Sequence, residues 1–488
     1  MQRIKIALLF FIIFGSSCER DLASLNEDPK NPAAVTSASL FTNAERSFAR
    51  TIASSNVNLN IFRLIVQYWQ ETTYTAESRY NLNSRNIPSN FWQALYRDVL
   101  RDLQEARTRI PTELKDPDPQ RDAAIKKNQI AIIDILQVYT YYYLVTTYGD
   151  IPYGEALNIE NVFPQYENQR TVFNDLLRRL DEDIANLDAT VDQTGMGTAD
   201  VIYGNDANAN NVEQWERFAN SMKLKLGMTI ADADPTRART AVESAVAAGV
   251  FQSNADIAEF DFLGFPPNTN PIWEDLVQSG RKDFVAASTI IDTMETFDDP
   301  RLPLYFTVDQ DGGYSGGSPG RSSSYSIFSK PSDQVIRPTF PGILLDYSEV
   351  EFFLAEAKER GWNVPGTAQE HYNAGITASI LYWGGLPQAA TAYLAQPEVA
   401  YNSAASDWRQ KIGIQKWIAL YNRGIDAWIE QRRLDFPRLQ PAFGALSGFP
   451  VRFTYPVNEQ NYNTANYNKA AASIGGDDVE TPLFWDVN

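Results

Sequence analysis

Residues 126–148 read KKNQIAIIDILQVYTYYYLVTTY and run directly into GDIPY. Ile130, Ile133, Gln137, Tyr141 and Leu144 recur at helical spacing on one face, and Ile132, Leu136, Tyr139 and Tyr143 widen it. An apolar surface this broad belongs to a helix enclosed by neighbours on most sides, since a surface helix shows only one stripe. Gly149 supplies a stop and Pro152 forbids resumption, because proline has no amide hydrogen to continue the ladder. The chain is therefore expected to be mainly α, built around a central buried helix.

Outward from this segment the helical period returns at 91–109, 172–187, 212–230, 235–248, 284–296, 346–360, 368–381 and 408–433. The alanines of Leu354-Ala355-Glu356-Ala357 suit close helix–helix contact. Paired helices of this size resemble tetratricopeptide units, without a clean repeat of about 34 residues. Between them lies a stretch rich in Gly, Ser and Pro, from Asp309 to Asp333. A loop of more than ~15 residues inside a compact domain is often functional, and a passive solvated excursion is the alternative. Asn205 to Asn211 is a shorter polar insertion. No linker splits the chain, which predicts one domain over residues 33–488.

The N-terminus carries an address. Arg3 and Lys5 precede an apolar run from Ile6 to Phe14, too short to span a bilayer, which takes about 20 helical residues. Small residues Gly15, Ser16 and Ser17 lead to Cys18, the only cysteine. Residues 1–17 read as a signal peptide. A lone Cys at this place is similar to a bacterial lipobox, so Cys18 is expected to be lipidated, with residues 18–32 as a tether; stable anchoring takes two or more acyl chains. Gly15 stands where lipoboxes often carry Leu. Acidic Glu19 and Asp21 resemble signals for export to the cell surface.

Net charge is -19, which argues against nucleic acid and against anionic lipid headgroups. His371 is the single histidine, so a Ser-His-Asp site would have to be built on it; it falls in a helical segment, where a lone His is more often structural, and a zinc site of several His or Cys ligands is ruled out. No cofactor or metal is expected. Paired carboxylates for glycoside hydrolysis remain available among 61 acidic residues, but pairs at ~5–10 Å arise by chance in such a number.

Several segments in order resemble the SusD/RagB nutrient-binding lipoproteins, most closely the SusD-like branch. They are Leu25-Asn26-Glu27-Asp28-Pro29-Lys30-Asn31-Pro32; Tyr148-Gly149-Asp150-Ile151-Pro152-Tyr153; Trp215 with Phe218-Ala219-Asn220-Ser221; Asp299-Pro300-Arg301-Leu302-Pro303; Gln415-Lys416-Trp417-Ile418; Ala427-Trp428-Ile429-Glu430-Gln431-Arg432-Arg433; Tyr455-Pro456-Val457-Asn458-Glu459; and Thr481-Pro482-Leu483-Phe484-Trp485-Asp486. The resemblance implies a SusD-like fold of four tetratricopeptide-like helix pairs and a loop-rich remainder. It implies a non-catalytic protein, lipid-anchored on the outer membrane and facing the exterior, that captures oligosaccharide and delivers it to a SusC-like TonB-dependent barrel. Peptide is the alternative ligand, as for RagB-like relatives, and a surface glycoside hydrolase is a more distant one.

Ligand residues are chosen on chemistry. A sugar needs a flat ring to stack on and fixed donors and acceptors around it. Tyr68-Trp69-Gln70-Glu71-Thr72-Thr73-Tyr74, followed by Tyr80 and Asn81, offers both, and it makes Trp69, Tyr74, Tyr80 and Asn81 the first candidates. Trp273 with Arg281 forms a second group, and Tyr314 and Tyr325 on the long loop a third. Trp215, Trp417, Trp428 and Trp485 are expected in the core. On this reading Trp69→Ala costs ~1–3 kcal/mol of glycan affinity and leaves the fold intact.

Overall fold

In a computed structural model the described residues are 35–204 and 209–487. The signal peptide, Cys18, its tether and part of the 205–211 insertion lie outside them. Helices of eight or more residues are α1 (Ser37–Ala53), α2 (Ile87–Leu95), α3 (Arg101–Arg109), α4 (Pro119–Tyr148), α5 (Gln169–Asn186), α6 (Asn211–Thr229), α7 (Pro235–Ala248), α8 (Ser288–Thr296), α9 (Tyr347–Glu359), α10 (Ala368–Tyr382), α11 (Pro387–Leu394), α12 (Trp408–Ala419), α13 (Gly424–Leu434) and α14 (Thr464–Ser473). Strands β1 (Trp69–Glu71), β2 (Ile151–Pro152), β3 (Tyr166–Glu167), β4 (Ala258–Phe260), β5 (Phe284–Ala286) and β6 (Gly342–Leu345) form two-stranded sheets, β1 with β5, β2 with β3 and β4 with β6. The fold is mainly α, as expected.

The central helix is α4. Asp118 caps its first turn by accepting from the Gln120 amide, Pro119 takes the first helical position, and Gly149 ends it at φ 90°. A Cβ on Gly149 would also sit 3.0 Å from Leu483. From Ala131 to Tyr148 every side chain is buried, which accounts for the all-round apolar pattern. Consecutive helices pack as four pairs: α4 with α5, α6 with α7, α9 with α10, α12 with α13. The pairs stack on one another through α5–α6, α6–α9 and α9–α12 contacts. The main apolar cluster reaches from Phe41 to Trp485, and Trp215, Trp417, Trp428 and Trp485 are all inside it.

Two helical expectations are corrected. Residues 284–286 are not the start of a helix but β5, which pairs with β1 in the register Trp69↔Ala286, Gln70↔Val285, Glu71↔Phe284. The helix expected over 408–433 is two, α12 and α13, broken at Asn422, whose φ of 71° lies outside any right-handed helix. The break has a packing reason: at Gly424 the backbone passes so close to Arg63 that a Cβ would meet its amide nitrogen at 2.6 Å.

His371 joins α10 to α9. Its Nδ1 lies 2.7 Å from Glu351 and its Nε2 lies 2.9 Å from the Pro365 carbonyl. Both neighbours are acceptors, so only the doubly protonated ring satisfies both. Burial opposes that charge, but the Glu351 and Pro365 bonds outweigh it and raise the pKa above the ordinary value. A raised folded-state pKa contributes stability that is complete below the unfolded-state value and lost as pH rises through the folded one. His371→Gln is thus expected to lower the melting temperature more at pH 5.5 than at pH 8.5. An equal loss at both would show that the ring is held uncharged.

Candidate functional site

The three segments chosen from sequence converge. Thr72, just past β1, donates its amide to the Asp283 carbonyl (2.9 Å) and its hydroxyl to the Lys282 carbonyl (2.6 Å). The Thr72 carbonyl accepts from the Ser323 amide (2.9 Å) and the Ser322 hydroxyl (2.6 Å). Gln70 clamps the long loop from below, accepting from the Gly320 amide (2.9 Å) and donating to the Arg321 carbonyl (2.8 Å). Gly317 and Ser329 bond to Ala286 on β5. The loop from Asp309 to Asp333 is therefore stitched along both strands and is no free excursion.

Its glycines have a cause. A Cβ at Gly316 would fall 2.3 Å from the Ser288 amide nitrogen, and Gly320, at φ 80°, lies against the Phe443 carbonyl. The loop can lie flat on the sheet only where side chains are missing.

The outer surface of this assembly carries rings. Tyr74 is 68% exposed. Tyr325 is half-buried, with Lys282 and Lys330 each 5.4 Å from its ring centre. Phe443 is exposed at the edge, under the Arg321 guanidinium at 3.5 Å. Arg281 is exposed and paired with Asp283 at 2.5 Å. That bond above all, and then Asp275, raises its pKa.

Other chosen residues fall elsewhere. Trp69 is 2% exposed: its indole donates to Tyr421 (3.0 Å), packs on Phe284 at 5.4 Å and lies under Arg63 at 5.1 Å. Tyr80 is also buried, and its hydroxyl accepts from the Ala442 amide. Neither offers a face to a ligand, so both are corrected to core residues that hold β1 and the turn after it. Asn81 accepts from the Ser84 amide and shapes that turn. Tyr314 is partly buried against the main core and presents an edge at most. Trp273 is half-buried in a short turn fastened to α1, where Arg50 meets Glu274 at 2.7 Å. Sequence reading missed Lys282, Lys330 and Phe443. Nothing local singles out an exposed lysine or phenylalanine, and only the docking of the loop brings them to Tyr325 and Arg321.

A second concavity, of 460 Å³, lies between α3, α4 and α5. Burial, and then the Asp134 carboxylate, push Asp183 there up to about 9. Arg179 clamps Asp134 through two hydrogen bonds of 2.8 and 2.9 Å. The same guanidinium covers the rings of Tyr141 and Tyr153, at 5.8 and 5.7 Å. Tyr141 is buried there, the Tyr153 hydroxyl is bound to Asp175, and Arg179 is spent on Asp134. The face over β1 and β5 is the better site.

Comparison with known proteins agrees with this architecture. A solved chitin-binding SusD homologue from Flavobacterium johnsoniae shares 25% identity, covering 93% of this chain and 97% of its own, with a TM-score of 0.76. A SusD homologue from Bacteroides uniformis shares 25% identity over 92% of this chain and 99% of its own (TM-score 0.75), and a Bacteroidetes SusD-like structure 22% over 93% and 100% (TM-score 0.80). No curated protein is a significant match. The family described as "Starch-binding associating with outer membrane" matches residues 29–456, and the chain belongs to that SusD-like family.

Proposed function

We propose that this protein captures oligosaccharide on the face formed by Tyr74, Tyr325 and the loop from Asp309 to Asp333, and that it does no chemistry on what it holds. The observation that carries the reading is the exposed Tyr74 ring two residues beyond Thr72, whose carbonyl pins a hydroxyl-rich loop to the end of β1. A flat ring offers the apolar face of a sugar a stacking partner, and fixed serine hydroxyls pair with its hydroxyls. Pinning the loop in advance reduces the entropy lost when ligand is held. The chitin-binding relative supports a glycan as ligand. A non-catalytic role fits His371, whose two nitrogens are tied up between helices.

Anchoring through Cys18, exposure at the outer membrane and hand-over to a SusC-like TonB-dependent barrel belong to the same proposal. They rest on the lipobox-like N-terminus and on family membership. Among the described residues no helix is long and apolar enough to cross a membrane. The single-domain reading of 33–488 is supported by the main apolar cluster, which links α1 to Trp485.

Isothermal titration against a panel of oligosaccharides tests the reading. Tyr74→Ala is expected to weaken binding by about 1–2 kcal/mol, five- to thirtyfold, with the melting temperature unchanged. Tyr325→Ala acts in the same direction. Peptides bound in place of every sugar, or tight glycan binding indifferent to both changes, would overturn it.

A further inference from the structure

Charge on the proposed face runs against the charge of the whole molecule. The chain is strongly acidic, yet no Asp or Glu occurs between Ser315 and Lys330, while Arg321 and Lys330 do. Among the described residues no carboxylate lies within 4.0 Å of Lys282, Arg321 or Lys330. Many cations elsewhere are paired, as Arg178 is with Asp175 and Glu182 and Arg239 with Glu243; what sets this face apart is that its two ammonium groups share one ring. The nearest acid to Lys282 in sequence, Asp283, is already taken by Arg281.

The two unpaired ammonium groups are not scattered. Lys282 arrives from the segment before β5 and Lys330 from the far end of the loop, and both stand 5.4 Å from the same Tyr325 ring. A group of opposite sign brought to this ring would gain from both charges. A neutral sugar stacked on Tyr325 would leave both cations to water. A sugar bearing a carboxylate or sulfate would place its charge between them while its ring meets the tyrosine, and hydrogen bonds to a charged group are the stronger kind.

Resting on the glycan-capture reading, we propose that the natural ligand is an anionic glycan, with uronate or sulfate groups held between Lys282 and Lys330 over Tyr325. Because both lysines are near solvent, the preference is sensitive to salt, screened over a Debye length of roughly 10 Å at 0.1 M.

The test is titration of the full chain with tetragalacturonate, a chondroitin-sulfate tetrasaccharide, maltotetraose and chitotetraose, at low and high sodium chloride. At least one anionic probe is expected to bind about tenfold or more tightly than either neutral one, the size of one charge-assisted hydrogen bond, and to weaken with salt. Which of the two anionic probes wins separates carboxylate from sulfate. Lys282→Gln with Lys330→Gln is expected to erase that preference without moving the melting temperature. Neutral probes bound as tightly as anionic ones, and indifferent to the lysine changes but weakened by Tyr74→Ala, would overturn the anionic assignment and leave the capture site standing. No binding by any of the four would count against both.

Discussion

Replacing Lys225 by methionine is expected to destabilise the protein by about 3–5 kcal/mol, the loss that follows when one partner leaves a buried ion pair. Lys225 is buried in α6, with its ammonium 2.9 Å from Glu349 of α9 and 2.5 Å from Asp426 of α13. Arg423 reaches the same two carboxylates at 2.6 and 2.9 Å. Burial works against the charge on Lys225, but Asp426 and then Glu349 outweigh it and raise its pKa well above the usual value. Methionine keeps most of the side-chain volume and removes the charge, so Glu349 and Asp426 are left to Arg423, which also holds Asp346 at 3.0 Å. Tyr143, which donates to Asp426 from α4, cannot replace the lost cation. Since this cluster ties α4, α6, α9 and α13 together, denaturant unfolding should show an earlier midpoint. An unchanged midpoint would mean that water reaches the cluster and screens it.

Trp69→Ala is expected to cost about 3–5 kcal/mol of stability, the range for emptying a buried aromatic site. This reverses the expectation from sequence, which gave Trp69 a ligand. The indole fills the space between β5 and the α12–α13 break, bonded to Tyr421 and packed on Phe284. Tyr68 beside it donates to the Trp417 carbonyl and packs on Tyr421 at 5.5 Å. The contrast with Tyr74→Ala is diagnostic: the first change should lower the melting temperature, the second only the affinity. A Trp69→Ala protein with wild-type melting would place the indole outside the core.

These two cases show what the sequence makes legible and what it hides. The central helix α4 was plain because residues apolar on all sides over twenty positions have one stable home, the interior. The segments of the site were also legible, since rings beside amides and hydroxyls are a chemical signal. Which ring in a segment faces out was not. Trp69 and Tyr74 differ in exposure because the long loop covers the outer side of β1, so all three of its residues are buried and alternation is lost. The strand β5 was hidden for a related reason. Three residues are too short to show a period of two, and Phe284-Val285-Ala286-Ala287 continues smoothly into the helical pattern of α8. The break at Asn422 depends on the approach of Arg63, some 360 positions away in sequence, which no local pattern records.

The most direct test of the account is the structure of the protein crystallised with the oligosaccharide that titration selects. Sugar rings lying on Tyr74 and Tyr325, within hydrogen-bonding distance of the serines of the stitched loop, are the predicted result. Sugar seated instead in the cavity between α3, α4 and α5, with the loop bare, would contradict it.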